Sequence, residues 1–261
     1  MTPANTPTCI AFVSPLGGTG QTTLVANLAS VWSSQGQPCL AIDLCAQNSL
    51  ALHLGLAADD APCTEPGWAR CLQAGQWWGE AAQENSEGVR FVPHGAAQAA
   101  PAQHDPAWLA GALSTLDLQP AARVLLDAPH WPQPLASQAL ACAALVVVCV
   151  ETGARAPRLQ ARLQALQQAL PPQGRMVLVA TRYNPQRASQ RAALQALQAQ
   201  WPEQLAPYVL HEDEHVGAAL QAAHCVCHHA PHAQAAHDMQ GLARWLGQSA
   251  AALQAAQDGR P

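Results

Sequence analysis

The sequence contains no lysine: all twelve basic residues among its 261 are arginine. Seventeen acidic residues outnumber them and give a formal net charge of -5 at pH 7. A chain with this balance has no basic field that would attract nucleic acid or an anionic membrane surface. We therefore expect no nucleic-acid partner, and contact with a membrane only through other proteins.

Long apolar runs are also missing, since no stretch reaches the roughly 18 residues of a membrane-spanning helix. The N-terminal "MTPANTPT" has neither a basic segment nor an apolar segment of the kind found in export signals. The nine cysteines form no C-x-x-C pair, and Cys9, Cys142 and Cys149 lie in apolar runs. These features predict a cytoplasmic protein with reduced, buried thiols.

Short β-branched runs alternate with longer Ala/Leu/Gln segments of helical period, which predicts a doubly wound, mostly parallel sheet flanked by helices. The predicted strands are 9–14, 38–43, 89–92, 123–127, 144–150, 176–182 and 207–210, and the clearest helices are 22–35, 106–117, 155–170, 187–200 and 234–256. Pro- and Ala-rich segments 57–66 and 93–106 indicate loops. We expect one α/β domain over 9–256, with flexible termini at 1–8 and 257–261.

A glycine-rich segment lies between the first predicted strand and helix: Gly17-Gly18-Thr19-Gly20-Gln21-Thr22-Thr23. Glycines allow the backbone N–H groups of such a turn to wrap around an anion, and the following helix adds its positive N-terminal dipole. A working loop of this kind carries a lysine for the β- and γ-phosphates and then a Ser/Thr hydroxyl for Mg²⁺. Here Gln21 occupies the lysine position and Thr22 the metal position, so the sequence predicts phosphate binding with weakened catalysis.

Longer matches around this loop are similar to the MinD/ParA class of P-loop ATPases, whose loop reads K-G-G-x-G-K-T-T and whose next strand ends in D-x-D. They are "SPLGGTGQTTLVANLA", "LAIDLCAQNSLALHLGL", "VLLDAPHWP" and "VLVATRYNPQR". Within that class, "GWARCLQAGQWWGEA" and "HEDEHVGAAL" resemble the BcsQ family of cellulose-biosynthesis proteins, which are encoded with bacterial cellulose synthase. The resemblance covers most of the chain.

The resemblance also shows what this chain has lost. The signature lysine that reaches the partner's phosphates in a nucleotide sandwich dimer corresponds to Leu16, and the loop lysine corresponds to Gln21. The second aspartate of D-x-D, which orients the attacking water, corresponds to Cys45, while the first is retained as Asp43. A buried thiol does not replace a carboxylate at neutral pH unless a cation lowers its pKa. Three losses at one site predict a pseudo-ATPase.

The remaining positions favour binding. Asp43 and Asp127 end neighbouring strands at the edge where ligands bind in open α/β sheets, and with Thr22 they are the predicted Mg²⁺ site. By resemblance, Arg182 and Asn184 lie in the region that surrounds adenine, beside Thr181. The expected cofactors are ATP or ADP with Mg²⁺.

A competing pattern is His211-Glu212-x-x-His215, the H-E-x-x-H of zinc peptidases. That motif requires both histidines on one helix face. Here it directly follows the predicted strand 207–210, so we expect His211 to lie in a turn, which in the resembled family closes over the nucleotide. The nearby "HCVCHH" suggests adventitious metal binding more than a structural site, because its ligands are crowded.

The tryptophans Trp68, Trp77 and Trp78 fit ordinary core packing, and since Trp is enriched at interfaces they also mark a candidate contact surface. The resemblance implies an accessory component of the cellulose synthesis and secretion machinery that acts in assembly or localisation, as a homodimer. The implied partners are products of the cellulose synthase operon, such as BcsR, BcsE and the cytosolic face of the synthase. The alternatives are an active positioning ATPase and a protein-binding module without nucleotide.

Overall fold

The computed structural model describes residues 7–56, 67–95, 105–119, 121–153 and 156–258. The strands are β1 (Thr8–Val13), β2 (Cys39–Asp43), β3 (Gln83–Glu84), β4 (Arg90–Val92), β5 (Arg123–Asp127), β6 (Leu145–Glu151), β7 (Arg175–Tyr183) and β8 (Leu205–His211). They form one sheet in the order β3-β4-β2-β5-β1-β6-β7-β8. All neighbours are parallel except the short edge pair of β3 with β4.

Helices cover both faces of the sheet in the described part of the chain. They are α1 (Gln21–Ser34), α2 (Ser49–His53), α3 (Trp68–Gln73), α4 (Trp108–Ser114), α5 (Pro134–Cys142), α6 (Ala156–Ala169), α7 (Ala188–Gln200), α8 (Glu214–Gln221), α9 (Val226–His229) and α10 (Gln234–Asp258), with a 3-10 turn at Trp78–Ala81. None of these helices is both long and apolar enough to cross a membrane.

The predicted fold class and all seven predicted strands are confirmed, with ends that differ by two residues at most. The sequence did not predict β3, which pairs with β4 through only two residues, and it did not assign α2, α3 or α5. These elements are too short for a periodic pattern to identify. The predicted loop 57–66 and most of the predicted loop 93–106 lie outside the described residues, as do positions 1–6 and 259–261.

Two apolar cores lie on the two faces of the sheet. One core joins α1 and α10 to the sheet and contains Trp32, whose indole N–H donates to the Ala243 carbonyl at 3.2 Å and whose ring lies under the Arg123 guanidinium. The other core contains Trp68 and packs the five helices from α3 through α7 against the sheet. Burial on both faces explains why the central strands β1, β5 and β6 are apolar between their end residues.

Trp68 and Trp78 are buried, so the predicted contact surface is wrong for these two residues. The indole N–H of Trp68 donates to the Asp43 carbonyl at 2.7 Å, and its ring stacks on that of Trp108 at 4.7 Å. Trp77 is 50% exposed and is the member of the group that faces solvent. The segment therefore belongs mainly to the core, because the apolar side chains of α3 cover one edge of the sheet.

The glycine-rich loop and candidate functional site

The loop leaves β1 at the centre of the sheet, where the strand order reverses between β5 and β6. Open α/β sheets bind ligands at this switch point, outside the carboxyl ends of the strands. Gly18 and Gly20 have φ angles of 76° and 77°, a left-handed conformation that other residues adopt only with strain. α1 then begins at Gln21 without a capping side chain or an acidic residue in its first turn. The strand, the glycine turn and the helix stand as the sequence predicts.

Side chains from distant elements fasten this loop. The Arg162 guanidinium of α6 donates to the Pro15 carbonyl at 2.6 Å, and the Thr181 hydroxyl at the end of β7 donates to the Thr19 carbonyl at 2.7 Å. Arg182 adds a bond of 3.3 Å to the Gly18 carbonyl. The loop is therefore shaped by tertiary contacts. Arg162 was missed from the sequence because an arginine in an Ala/Leu/Gln helix resembles any solvated residue.

The Gln21 side chain binds the end of β5. Its side-chain amide nitrogen donates to Asp127 Oδ1 and to the Ala128 carbonyl, both at 2.6 Å. Both acceptors lie at the end of β5, and Gln21 is itself buried. The amide hydrogens that could have served phosphate oxygens are therefore used within the protein, and they link α1 to the central sheet.

Asp43 and Asp127 lie side by side at the ends of β2 and β5, as predicted. Oxygens of these two carboxyls and the Cys45 thiol approach one another within 4.8 Å. Burial and the nearby Asp127 raise the pKa of Asp43, against the effect of N–H bonds from Cys45 and Leu50. Burial also raises the pKa of Asp127, against the hydrogen bonds from Gln21 and Thr22. The pair therefore concentrates negative charge that a cation or a proton would relieve.

The oxygen atoms of Asp43, Asp127 and Thr22 differ in their fit to Mg²⁺. Both Asp43 oxygens already accept backbone N–H groups, at 2.8 Å from Cys45 and 3.1 Å from Leu50, and so they fix the turn after β2. Asp127 Oδ2, by contrast, is buried without a hydrogen-bond partner among the described residues. A free carboxylate oxygen and a nearby threonine hydroxyl are the hard oxygen ligands that Mg²⁺ prefers. Thr22 and Asp127 therefore fit a metal, and Asp43 fits a supporting position.

The two other altered positions are also unsuited to hydrolysis. Leu16 is half-buried and packs against the core that contains Trp68. Burial, followed by the charges of Asp127 and Asp43, raises the pKa of the Cys45 thiol far above its ordinary value. Cys45 therefore stays protonated at neutral pH and offers no base to orient a water molecule.

Two adjoining cavities share Thr19, Gly20 and Thr23 of the loop. The first, of about 390 Å³, extends over Gly17, Gly18, Gln21 and Thr22 to Cys45 and the turn after β5, including His130 and Gln133. The second, of about 410 Å³, is lined by Thr181, Arg182 and residues 210–214, 216 and 217. Asn184 is not among its lining residues; its amide donates to Glu212 at 3.2 Å. The cleft thus has one end over the glycine-rich loop and a slightly larger end bounded by the "HEDEH" segment.

The two histidines of the H-E-x-x-H pattern do not share a helix. His211 is the last residue of β8, not part of a turn as expected, and its Nδ1 lies 2.9 Å from Asp238. His215 is in the first turn of α8 and pairs with Asp213 at 2.8 Å. Because their ring nitrogens engage different carboxylates, the pattern does not form a zinc-peptidase site.

His53 is the last residue of α2, and its Nε2 is 3.3 Å from the Thr23 hydroxyl. Burial lowers its pKa from 6.5 to about 4. Between these two values the unfolded chain binds the extra proton and the folded chain does not, so the stabilisation present above pH 6.5 is lost as the pH falls towards 4. We expect His53→Gln to weaken the pH dependence of the free energy of unfolding over this range by up to about 1.4 kcal/mol per pH unit.

The measurement is urea unfolding at several pH values between 4 and 7 for both proteins. The raised pKa values of Asp43 and Asp127 act in the opposite direction, and they are common to both proteins and cancel in the difference. Parallel stability curves would show that the pKa of His53 is not lowered by folding.

A central parallel sheet, a glycine-rich loop at its switch point and paired carboxylates on the neighbouring strands define a P-loop protein with the MinD/ParA fold. Solved structures support this class. MinD from Pyrococcus horikoshii in complex with Mg-ADP matches with a TM-score of 0.73 at 19% identity, covering 95% of this chain and 98% of that one. The ATP complex of a McdA variant from Cyanothece matches with a TM-score of 0.72 at 16% identity, covering 92% and 96%.

The chain belongs to the family "Cellulose biosynthesis protein BcsQ", whose model matches residues 9–246. It is 27% identical to the cellulose biosynthesis protein BcsQ of Salmonella typhimurium over 238 residues, covering 88% of this chain and 90% of that protein. It is likewise 27% identical to BcsQ of Escherichia coli K12 over 240 residues, covering 88% and 90%.

Proposed function

We propose that this protein binds ATP or ADP with Mg²⁺, hydrolyses it little or not at all, and acts as an accessory component of a bacterial cellulose synthesis machinery. Family membership supports the cellulose role. The observation that carries the nucleotide proposal is the intact glycine turn at the N-terminus of α1, with Thr22 beside it. Next to them is the Asp127 Oδ2 atom, which has no hydrogen-bond partner in the part of the chain that the structure describes.

In this proposal the loop from Gly17 to Thr23 receives the phosphates, because backbone N–H groups and a helix dipole favour an anion without any lysine. Thr22 and Asp127 hold Mg²⁺, which screens the phosphate charges, and Asp43 supports them. Arg182 and the residues of the larger cavity bound the nucleoside end. Asn184 keeps Glu212 in place and so contributes to the wall indirectly.

The partner proposals rest on the family alone. The proposed homodimer follows from the dimers of the resembled MinD/ParA class. Operon partners such as BcsR, BcsE and the cytosolic face of the synthase follow from the cellulose role. Leu16 gives the protomer no cation at the position that crosses a sandwich dimer in the resembled class, so a dimer of this chain would use other contacts. Localisation at the inner membrane would then come through those partners.

Nucleotide should stabilise the folded protein measurably. A ligand that binds only the folded state at a hundredfold excess over its Kd adds about 2.7 kcal/mol, so Tm should rise by several degrees in millimolar Mg-ATP. Because no lysine balances the phosphates, the rise should depend steeply on Mg²⁺. The measurement is thermal melting with ATP or ADP, in Mg²⁺ and in EDTA.

Gly20→Asp places a negative side chain in the phosphate position and should abolish the rise in Tm. Gly36→Asp is the matched control, because Gly36 also has a positive φ angle, 69°, with open space around it, and lies in the turn after α1. It introduces the same charge and a similar strain away from the loop, so the rise should remain. If the wild type shows no rise with ATP or ADP, the protein is a protein-binding module without nucleotide.

A further inference from the structure

A second group of metal-binding side chains lies away from the loop. Glu87 Oε1 is 3.1 Å from His224 Nδ1 and 3.0 Å from His228 Nδ1. The three ligand atoms lie within 4.8 Å of one another. Glu87 comes from the turn between β3 and β4, His224 follows α8, and His228 is in α9. The fold thus gathers a carboxylate and two imidazoles from segments that are 137 residues apart.

The Glu87 side chain is held in place by its surroundings. The other Glu87 oxygen accepts the Ser30 hydroxyl at 3.3 Å, and the Glu87 side chain is only 12% exposed. The Asn85 side chain accepts the N–H groups of Glu87 and Val89, which fixes the turn. The carboxylate is therefore preorganised and mostly shielded from water.

The two histidines are positioned by the backbone between α8 and α9. Ala223 has a φ of 56°, a left-handed conformation that is costly for a residue with a side chain, and this turn delivers His224 to the cluster. The N–H of Val226 donates to the Asn27 side chain at 2.8 Å, which ties the start of α9 to α1. His224 and His228 are 42% and 61% exposed, so an ion can reach their ring nitrogens.

The neighbouring thiols point elsewhere. Cys225 Sγ lies 3.7 Å from the His53 carbonyl, and Cys227 Sγ lies 3.7 Å from the Ala236 carbonyl. The expectation of a crowded Cys/His group therefore gives way to a different set, in which two histidines of "HCVCHH" join a glutamate that the sequence places far away. A distant ligand of this kind has no local signal.

We propose that Glu87, His224 and His228 form a binding site for Zn²⁺ or a similar first-row divalent ion, with the fourth position open to water or to a ligand from another molecule. Two imidazoles and one carboxylate are ligands that suit zinc. In a tetrahedral site with ligands at 2.0–2.1 Å, ligand atoms are about 3.3 Å apart. The observed separations of 3.0 and 3.1 Å need to open by only a few tenths of an ångström, with each imidazole binding as the neutral tautomer that carries its proton on Nε2.

The bound ion would cross-link the β3–β4 turn to the connection between α8 and α9. α8 supplies Val216 and Gly217 to the wall of the larger cavity. The site is distinct from the Asp43–Asp127 pair, which offers hard oxygen ligands suited to Mg²⁺. The proposed ion site is therefore independent of the proposed nucleotide binding, and either proposal can fail without the other.

The test uses the full chain, stripped with a chelator and titrated with Zn²⁺ by calorimetry and with Co²⁺ by visible absorption, in excess Mg²⁺ to occupy oxygen sites. We expect one ion per chain, the intense visible bands of tetrahedral Co²⁺, and a Tm that rises with Zn²⁺. His228→Gln and Glu87→Gln should each weaken binding at least tenfold and remove the rise in Tm.

His229→Gln is the matched control, because His229 is the exposed neighbour of His228 in the same short helix and is not in the cluster. It should bind Zn²⁺ and Co²⁺ as the wild type does. Circular dichroism of the metal-free variants checks that they fold. Because His228 is exposed and Glu87 is mostly buried, His228→Gln should disturb folding less than Glu87→Gln. Equal affinity for all four proteins, or octahedral Co²⁺ spectra with no rise in Tm, would overturn the proposal and show adventitious binding.

Discussion

The free energy of unfolding of the Trp68→Ala variant is expected to be about 3–5 kcal/mol lower than that of the wild type. Trp68 is fully buried, and truncation would leave a cavity between α3, α4 and the sheet. It would also remove the indole donor from the Asp43 carbonyl, beside the carboxylate pair. An effect of this size is a large fraction of the stability of an ordinary domain.

Trp77→Ala is the matched control, because Trp77 lies in the same segment and is half-exposed. It should cost about 1 kcal/mol or less. Urea unfolding should be followed by far-UV circular dichroism, since both variants lose one indole and change the fluorescence. Equal losses in the two variants would show that Trp68 is not packed in the core and would restore the interface interpretation of this segment.

ATP turnover by the purified wild type is expected to stay below about 0.1 s⁻¹, well under the usual enzyme range. Removal of one well-placed donor costs other enzymes about 10²–10³ in rate. Here the Gln21 side-chain amide already donates its hydrogens to Asp127 and to the Ala128 carbonyl. Leu16 has no charge, and the Cys45 thiol stays protonated. Phosphate release in Mg²⁺ measures the turnover, and Gly20→Asp prepared in the same way sets the background.

Stepwise restoration of the replaced residues at positions 16, 21 and 45 would identify the cause of low turnover. Gln21→Lys alone should not raise the rate, because the water-orienting carboxylate and the crossing lysine are still missing. Leu16→Lys, Gln21→Lys and Cys45→Asp combined should raise it above the Gly20→Asp background, provided that circular dichroism shows a folded protein. Wild-type turnover above about 0.1 s⁻¹ would contradict the proposed pseudo-ATPase.

Local signals were sufficient for much of this molecule. The alternation of β-branched runs with Ala/Leu/Gln helices predicted the sheet and its seven longer strands, since burial on both faces forces such runs to be apolar. The glycine turn before α1 was equally predictable from the sequence, because Gly18 and Gly20 take backbone conformations that few other residues adopt. The adjacency of Asp43 and Asp127 followed from parallel strands ending at one edge.

What the sequence by itself determined, then, is the α/β class, the position of the loop and the residue types at Leu16, Gln21 and Cys45 on which the proposed pseudo-ATPase depends, because each depends on short-range pattern or on residue type. Only the tertiary structure decided where long side chains point. It turned Gln21 onto Asp127, brought Arg162 to the loop, buried Trp68 and joined Glu87 to His224 and His228. Such contacts depend on how distant segments pack, and a single chain carries no local record of that packing.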